Sequence, residues 1–280
     1  MKQKIHVNLI PLYKTNKVDV YTKYDYTDES IADLVICDQL LEQLSKKYIL
    51  NGISISGGEI SLLSDLYFDL LYKIVNLYSN NVKVYTNFIQ FNKALINGTD
   101  IINVTYNFTD EPDVFKNIRA AIQVGKIINI QTIDKACNKE TPESIITILN
   151  GLNIKSWEIT PEDCFNDTLL KFLKYSSSMN FAFHNKLQLD GLVDIDSYDI
   201  QNVYITPHNK YALKENNRLV EFDNIDILVK ELNKIKEKQT DYCDECKVKL
   251  KCMANYYKVA DYTSDSSCSF SDLIYTYSKR

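Results

Sequence analysis

The chain is poor in residues that break regular structure, with 7 glycines and 5 prolines among 280 residues. So small a supply excludes collagen-like and low-complexity disordered classes, which need both in quantity. No run approaches the roughly 20 apolar residues of a membrane span, and no apolar core of signal-peptide length follows MKQK. A cytoplasmic protein without a membrane partner is the expectation. Basic excess is also missing: 32 Lys and Arg stand against 37 Asp and Glu, a formal net charge of -5. The lysines are scattered among acids, so the concentrated basic surface that neutralises phosphates is absent and no nucleic-acid partner is expected. Histidine occurs three times, as His6, His184 and His208, and none forms a convincing base and nucleophile pair in sequence. No cysteine precedes Cys37.

What is present is a regular alternation. Short runs rich in Ile, Val, Thr and aromatics predict strands at 4–10, 52–56, 82–86, 101–106, 127–132 and 156–160. Helical patterns lie between them: ESIADLVICDQLLEQLSKKY, then LLSDLYFDLLYKIVNLY with Leu63, Leu66, Leu70, Ile74 and Leu77 on one stripe, then EPDVFKNIRAAIQV. In TPESIITILNG, Thr141 is the expected N-cap and Pro142 the first helical residue. Six such units imply a parallel sheet with crossover helices, an α/β fold forming a partial (β/α)6 TIM-like barrel rather than a closed barrel of eight units. Beyond Asp167 the pattern changes. NFAFH and NVYITPH still resemble strands, KLQLDGLVDIDSYD and KENNRLVEFDN are turn-rich, and a last helix fits IDILVKELNKIKEK. The expected division is a barrel at 1–200 and a small cysteine-bearing domain at 201–280.

Seven cysteines in a chain without an export signal argue for metal ligation rather than disulfides. Cys37, Cys137 and Cys164 are isolated and read as buried small hydrophobes or partly exposed thiols. Cys243, Cys246, Cys252 and Cys268 cluster within twenty-six residues. Four thiolates with no histidine nearby suit Zn²⁺ or an iron–sulfur cluster, and the asymmetric spacing favours one [4Fe–4S] cluster over paired zinc knuckles. With every iron held by cysteine, that centre has no open position for substrate.

In NGISISGGEISLLSD a strand runs into Gly57, Gly58 and Glu59 and then a helix. Paired glycines at a strand's C-terminal end permit close ligand approach on the face where β/α folds bind ligands. The stretch is not a dinucleotide fingerprint and lacks the lysine of a phosphate-binding loop. A tight turn with Glu59 capping the next helix is the alternative.

Together these stretches resemble the radical S-adenosylmethionine (AdoMet) superfamily, in particular its peptide-modifying members with a C-terminal SPASM domain. ISISGGEISLL is similar to the family's second strand and its GGE motif, which there meets the amino group of AdoMet. VKVYTNFI resembles the third strand, with Phe88 where Thr-Asn-Gly has its glycine, and FKNIRAAIQVGKIINIQT resembles the run into the fifth. The likeness implies cofactor contacts at Gly57, Gly58 and Glu59. The family's C-x3-C-x2-C after the first strand is missing. Its place falls on YKTNKVDVY, with Tyr13, Lys17 and Val20 for the cysteines and Tyr21 where an aromatic often follows. Those side chains cannot hold iron as three thiolates do. Reductive cleavage of AdoMet is therefore not expected, and AdoMet affinity should be poor.

In SPASM domains C-x2-C-x5-C and a distant last cysteine hold the second auxiliary cluster, and Cys243, Cys246, Cys252 and Cys268 match that set. The first auxiliary site is dismantled, with Tyr256 and Lys214 at two cysteine positions and Asn209 for a glycine. The resemblance thus implies a non-catalytic iron–sulfur protein, an accessory that binds a precursor peptide or a partner radical AdoMet enzyme during ribosomal peptide modification. Two alternatives stand beside it. One is an enzyme of non-radical mechanism acting on AdoMet or another small molecule, with Lys17, Glu59, Asn87, Tyr106, Glu158 and His184 as polar candidates. The other is an electron-transfer module for a partner radical enzyme.

Overall fold

The computed structural model describes residues 2–16, 27–108, 112–160, 167–190, 200–215 and 218–243, without the side chains of 139, 167, 215 and 235–243. The six expected strands are present as β1 (Lys4–Leu9), β2 (Ile49–Ile55), β3 (Val82–Thr86), β4 (Ile101–Thr105), β5 (Ile127–Ile133) and β6 (Ser156–Thr160). A two-residue β7 (Ala182–Phe183) follows, and all seven run parallel in chain order. β8 (Gln201–Ile205) returns to the opposite side of β1 and also pairs with it in parallel. β9 (Tyr211–Glu215) and β10 (Arg218–Phe222) extend that side as an antiparallel hairpin. The result is one mixed, open sheet of ten strands in the order β10-β9-β8-β1-β2-β3-β4-β5-β6-β7.

Helices α1 (Leu34–Lys47), α2 (Asp65–Tyr78), α3 (Lys93–Gly98), α4 (Pro112–Gln123) and α5 (Pro142–Asn150) connect the strands. They are followed by α6 (Asp167–Lys174), α7 (His184–Leu189) and α8 (Ile225–Cys243). Capping sets their starts: Asp33 accepts from the N–H groups of Val35 and Ile36, Ser64 from Tyr67, and Thr141 from Ser144 with Pro142 next, as the sequence predicts. In β1, β4, β5, β6 and β8 every second residue is buried, and the core of the sheet includes Val7, Ile53, Ile55, Val84, Ile102, Val104, Ile128, Ile130, Trp157 and Val203. Among the described residues no helix is long and apolar enough to cross a membrane.

Three expectations are corrected. KENNRLVEFDN, read as turn-rich, supplies all of β10 and the end of β9. Its charged Lys214, Arg218 and Glu221 hid an edge hairpin, since charge on an edge strand discourages pairing with foreign chains. Helix α7 takes the end of NFAFH, expected as strand, and the KLQL expected as turn-rich, while the short α3 and α6 had no expectation. In α2 the expected stripe is not the core face: Phe68, Leu71 and Val75 are buried, while Leu66, Leu70 and Leu77 are 69%, 42% and 77% exposed. Two apolar stripes fit the helical period, and the Ser64 cap together with Phe68 stacking on Tyr72 accompanies the rotation adopted.

Candidate functional site

The glycine loop after β2 is packed by the chain's own backbone. Gly58 N–H donates to the Leu12 carbonyl (2.9 Å) and Glu59 N–H to the Lys14 carbonyl (2.8 Å). A Cβ on Gly58 would overlap the carbonyl oxygens of Tyr13 and Lys14, and one on Gly57, whose φ is 128°, would overlap Ile10. Both glycines are therefore required by the segment that enters directly after β1. Glu59 is 1% exposed. One carboxylate oxygen accepts from Ser61 N–H (2.9 Å) and the Thr86 hydroxyl, the other from Asn87 N–H (2.7 Å). Burial raises its pKa, with these bonds pulling the other way. Glu59 thus caps the short 3₁₀ turn Ile60–Leu62, as the tight-turn alternative has it, and ties the ends of β2 and β3 together.

At the end of β3, Phe88 keeps a glycine's backbone. Its φ is 58° and its side chain is fully buried. Thr86 Oγ1 accepts from Phe88 N–H (2.9 Å), and Asn117 Nδ2 donates to the Phe88 carbonyl (2.9 Å). Asn209, the other residue standing for a glycine, likewise has φ 62°, in the turn that closes from Asn209 N–H to the Thr206 carbonyl. Asn tolerates this region; a bulky aromatic there is an outlier.

The sheet face opposite the helices is polar. His6 and Asn8 of β1, Lys83 and Tyr85 of β3, Asn103 and Thr105 of β4, Asn129 and Gln131 of β5, and Ser156 and Glu158 of β6 are all half-buried. Closed (β/α)8 barrels fill this side with branched apolar residues, and this sheet does not. A side-chain ladder crosses it: Asn103 Nδ2 donates to the Val84 carbonyl (3.2 Å), Asn129 Nδ2 to Asn103 Oδ1 (3.1 Å), and Ser156 Oγ to Asn129 Oδ1 (2.7 Å). His6 Nε2 lies 2.8 Å from Ser54 Oγ, and burial, assisted by the charge of Lys83, lowers its pKa to about 4, so the ring is neutral at pH 7. Burial raises Tyr85, with the charge of Glu158 adding to it. Glu158 lies 4.0 Å from His184 Nε2 and accepts from Gln188 Nε2 (3.5 Å).

The remaining candidates are dispersed. Cys37, in α1, and Cys137, after β5, are buried free thiols in separate elements. Burial pushes Cys37 up to about 12 and raises Cys137 as well. Tyr13 is buried with its ring edge-on to His208, and Tyr106 packs against Phe108 and Phe115. Asn87 donates to Asn16 (2.7 Å). Cys243 closes α8, whose Leu228 and Leu232 are buried. The Cys243 side chain, and Lys17, Val20, Tyr21, Cys164, Cys246, Cys252, Tyr256 and Cys268, lie outside the described residues. Among the described residues no group of three or more His, Cys, Asp or Glu suits a metal ion. The side chains described at the barrel mouth, Tyr13 and Glu59 among them, do not fit the three-thiolate site of the resemblance.

One cluster escaped the sequence reading. His208 Nδ1 lies 2.9 Å from Glu221 Oε1 and its Nε2 lies 2.7 Å from Asp28 Oδ2, so the ring bridges two carboxylates. Hydrogen bonding to Asp28 is the main cause of its raised pKa. Asp28, bonded chiefly to Ser30 and then to His208, is lowered to about 2. The bridge joins the segment before α1 to the β8–β9 turn and β10. No signal in sequence announces it, because Asp28 is 180 positions from His208.

No protein family model matches the chain, and no curated protein matches it. Solved structures do. SuiB of Streptococcus suis bound to S-adenosylmethionine is 13% identical with a TM-score of 0.65, covering 90% of this chain and 72% of its own. Native anSMEcpe with bound AdoMet and the Cp18Cys peptide is 12% identical with a TM-score of 0.64, covering 97% and 95%. SuiB bound to its precursor peptide SuiA is 12% identical with a TM-score of 0.58, covering 75% of this chain, which spans only 59% of that SuiB chain. The likeness is one of fold: this chain's mixed, open sheet of alternating strands and helices resembles those of SuiB and anSMEcpe.

Proposed function

We propose that the chain is a non-catalytic relative of the radical AdoMet enzymes that binds a peptide along the polar face of its sheet, as an accessory in peptide modification. The observation that carries this reading is the state of the barrel mouth. The Gly57–Glu59 loop, which holds the resemblance to an AdoMet site, is filled by residues 12–14, and both oxygens of Glu59 already accept from the protein. Asn8, Lys83, Thr105 and Gln131, half-buried on the polar face, bring donors and acceptors of the kind that suit a peptide backbone. SuiB and anSMEcpe, alike in fold, have been captured with peptides.

In this reading residues 201–280 form the SPASM-like part, and Cys243, Cys246, Cys252 and Cys268 hold one [4Fe–4S] cluster, or Zn²⁺ as the alternative. α8 supports the arrangement: it packs on the β9–β10 hairpin and brings Cys243 to the helix end. The cluster would clamp a segment too small for a core of its own. The test is anaerobic purification with iron and sulfide counts, followed by incubation with AdoMet and a strong reductant. About four irons per chain and no 5′-deoxyadenosine are expected; a count of about eight irons, or sustained 5′-deoxyadenosine release, refutes the proposal.

A non-radical enzyme is favoured by one observation, the His6–Ser54 hydrogen bond, in which a neutral imidazole meets a hydroxyl. Ser54 is only 4% exposed, which denies it a substrate carbonyl. Turnover of a peptide or AdoMet that disappears in Ser54→Ala would establish that reading instead.

A further inference from the structure

α2 has two apolar faces and buries one. On the other lie Leu66, Leu70, Lys73 and Leu77, spaced four, three and four residues apart, the interval of a coiled-coil seam. The leucines are 69%, 42% and 77% exposed, and Ile74 at the margin is half-buried. Single exposed leucines need no explanation, but three in register along one helix do. The one charge in the seam is already neutralised, since Lys73 Nζ lies 2.7 Å from Asp69 Oδ2 one turn back.

We infer that this face is the seam of a homodimer in which a second copy of the chain lays its α2 antiparallel along the first. The pattern is self-complementary in that sense only. About a point between Leu71 and Tyr72, Leu66 meets the partner's Leu77, and Leu70 meets the partner's Lys73, whose alkyl stem covers it while the ammonium stays on its own Asp69. A parallel pair in register would set Lys73 against its own copy, like charges side by side. The seam from Leu66 to Leu77 spans about 16 Å at 1.5 Å per residue. That is short for a permanent interface, so association is concentration-dependent. This inference does not depend on the polar face or on any cluster.

Sedimentation velocity of the full chain over a concentration series tests it. The expected mass rises from 32.4 kDa towards twice that value. Leu66→Lys combined with Leu77→Lys holds the chain at the monomer mass throughout, with a melting temperature equal to that of wild type at dilutions where the wild type is itself monomeric, because neither side chain is in the core. Val124→Lys, at a side chain 62% exposed elsewhere, leaves the dimer intact. Orientation is read by oxidation: Leu66→Cys with Leu77→Cys in one chain gives a covalent dimer, whereas Leu66→Cys alone does not. A wild type that stays monomeric, a dimer unaffected by the double lysine variant, a dimer lost with Val124→Lys, or cross-linking by Leu66→Cys alone overturns the inference.

Discussion

Phe88 offers the sharpest test of the backbone reasoning. Its ring lies in the core, fully buried, while its φ of 58° belongs to the left-handed region. Removing the ring as Phe88→Ala costs about 3–5 kcal/mol in lost burial and cavity. Phe88→Gly loses the same ring but releases the steric cost of a Cβ in that conformation, about 1–2 kcal/mol. Against this stands the greater freedom of glycine in the unfolded chain, about 0.4–1 kcal/mol. The glycine variant should therefore be the more stable by about 1 kcal/mol, a difference of those two ranges. In α2, Leu71→Ala should outlast Leu71→Gly by about 1 kcal/mol, the ordinary helical order. Urea denaturation midpoints of the four variants report both differences. If Phe88→Ala equals or exceeds Phe88→Gly while the Leu71 pair behaves ordinarily, the strain assigned to Phe88 does not exist.

Gly58→Ala should destabilise by about 1–3 kcal/mol, because its Cβ meets backbone carbonyls that cannot swing aside, and thermal melting reads this directly. Glu59→Gln leaves one of three donors facing an amide nitrogen and should cost about 1–3 kcal/mol. Because the folded pKa of Glu59 is raised, wild-type stability falls relative to this variant as pH rises from the ordinary carboxylate value through the raised one; a parallel pair of stability curves would contradict that. The His208 bridge contributes fully below pH 6.5 and fades as pH rises through the raised His208 value. Its Asp28 side holds above 3.8 and fades as pH falls towards about 2. His208→Asn should remove the His208 slope, by less than about 1 kcal/mol for so exposed a cluster, and leave most of the Asp28 slope, which Ser30 sustains; denaturation midpoints measured against pH show it. Cys252→Ala should strip iron from the purified chain and Cys137→Ala should not; iron retained in the first variant refutes the ligand set.

Much of the sheet is legible because strand chemistry is local. In β5, Ile128 and Ile130 face the helices while Asn129 and Gln131 face away, and the alternation is visible in IINIQT before any coordinates. The start of α5 is equally plain from Thr141 and Pro142. The phase of α2 is not, since both of its stripes satisfy the same period and only packing against the sheet chooses. The GGE loop is found by sequence, but its occupant is not: that residues 12–14 fill it depends on hydrogen bonds spanning some 45 positions. The Glu59 bonds to Thr86 and Asn87 and the two carboxylates on His208 are likewise products of tertiary proximity. The cysteine reading rests on spacing alone, as all four sulfurs lie beyond the described side chains.

The placement of β8 has a consequence for how a ligand arrives. With β1 flanked on both sides, its edge is not available to receive β7, and the curved sheet ends in two separate margins instead of a rim. A polymer need not be threaded end-first into such a trough. A peptide bound as proposed would be laid in broadside, so a segment from the middle of a long chain, or from a cyclised one, would fit as well as a free end.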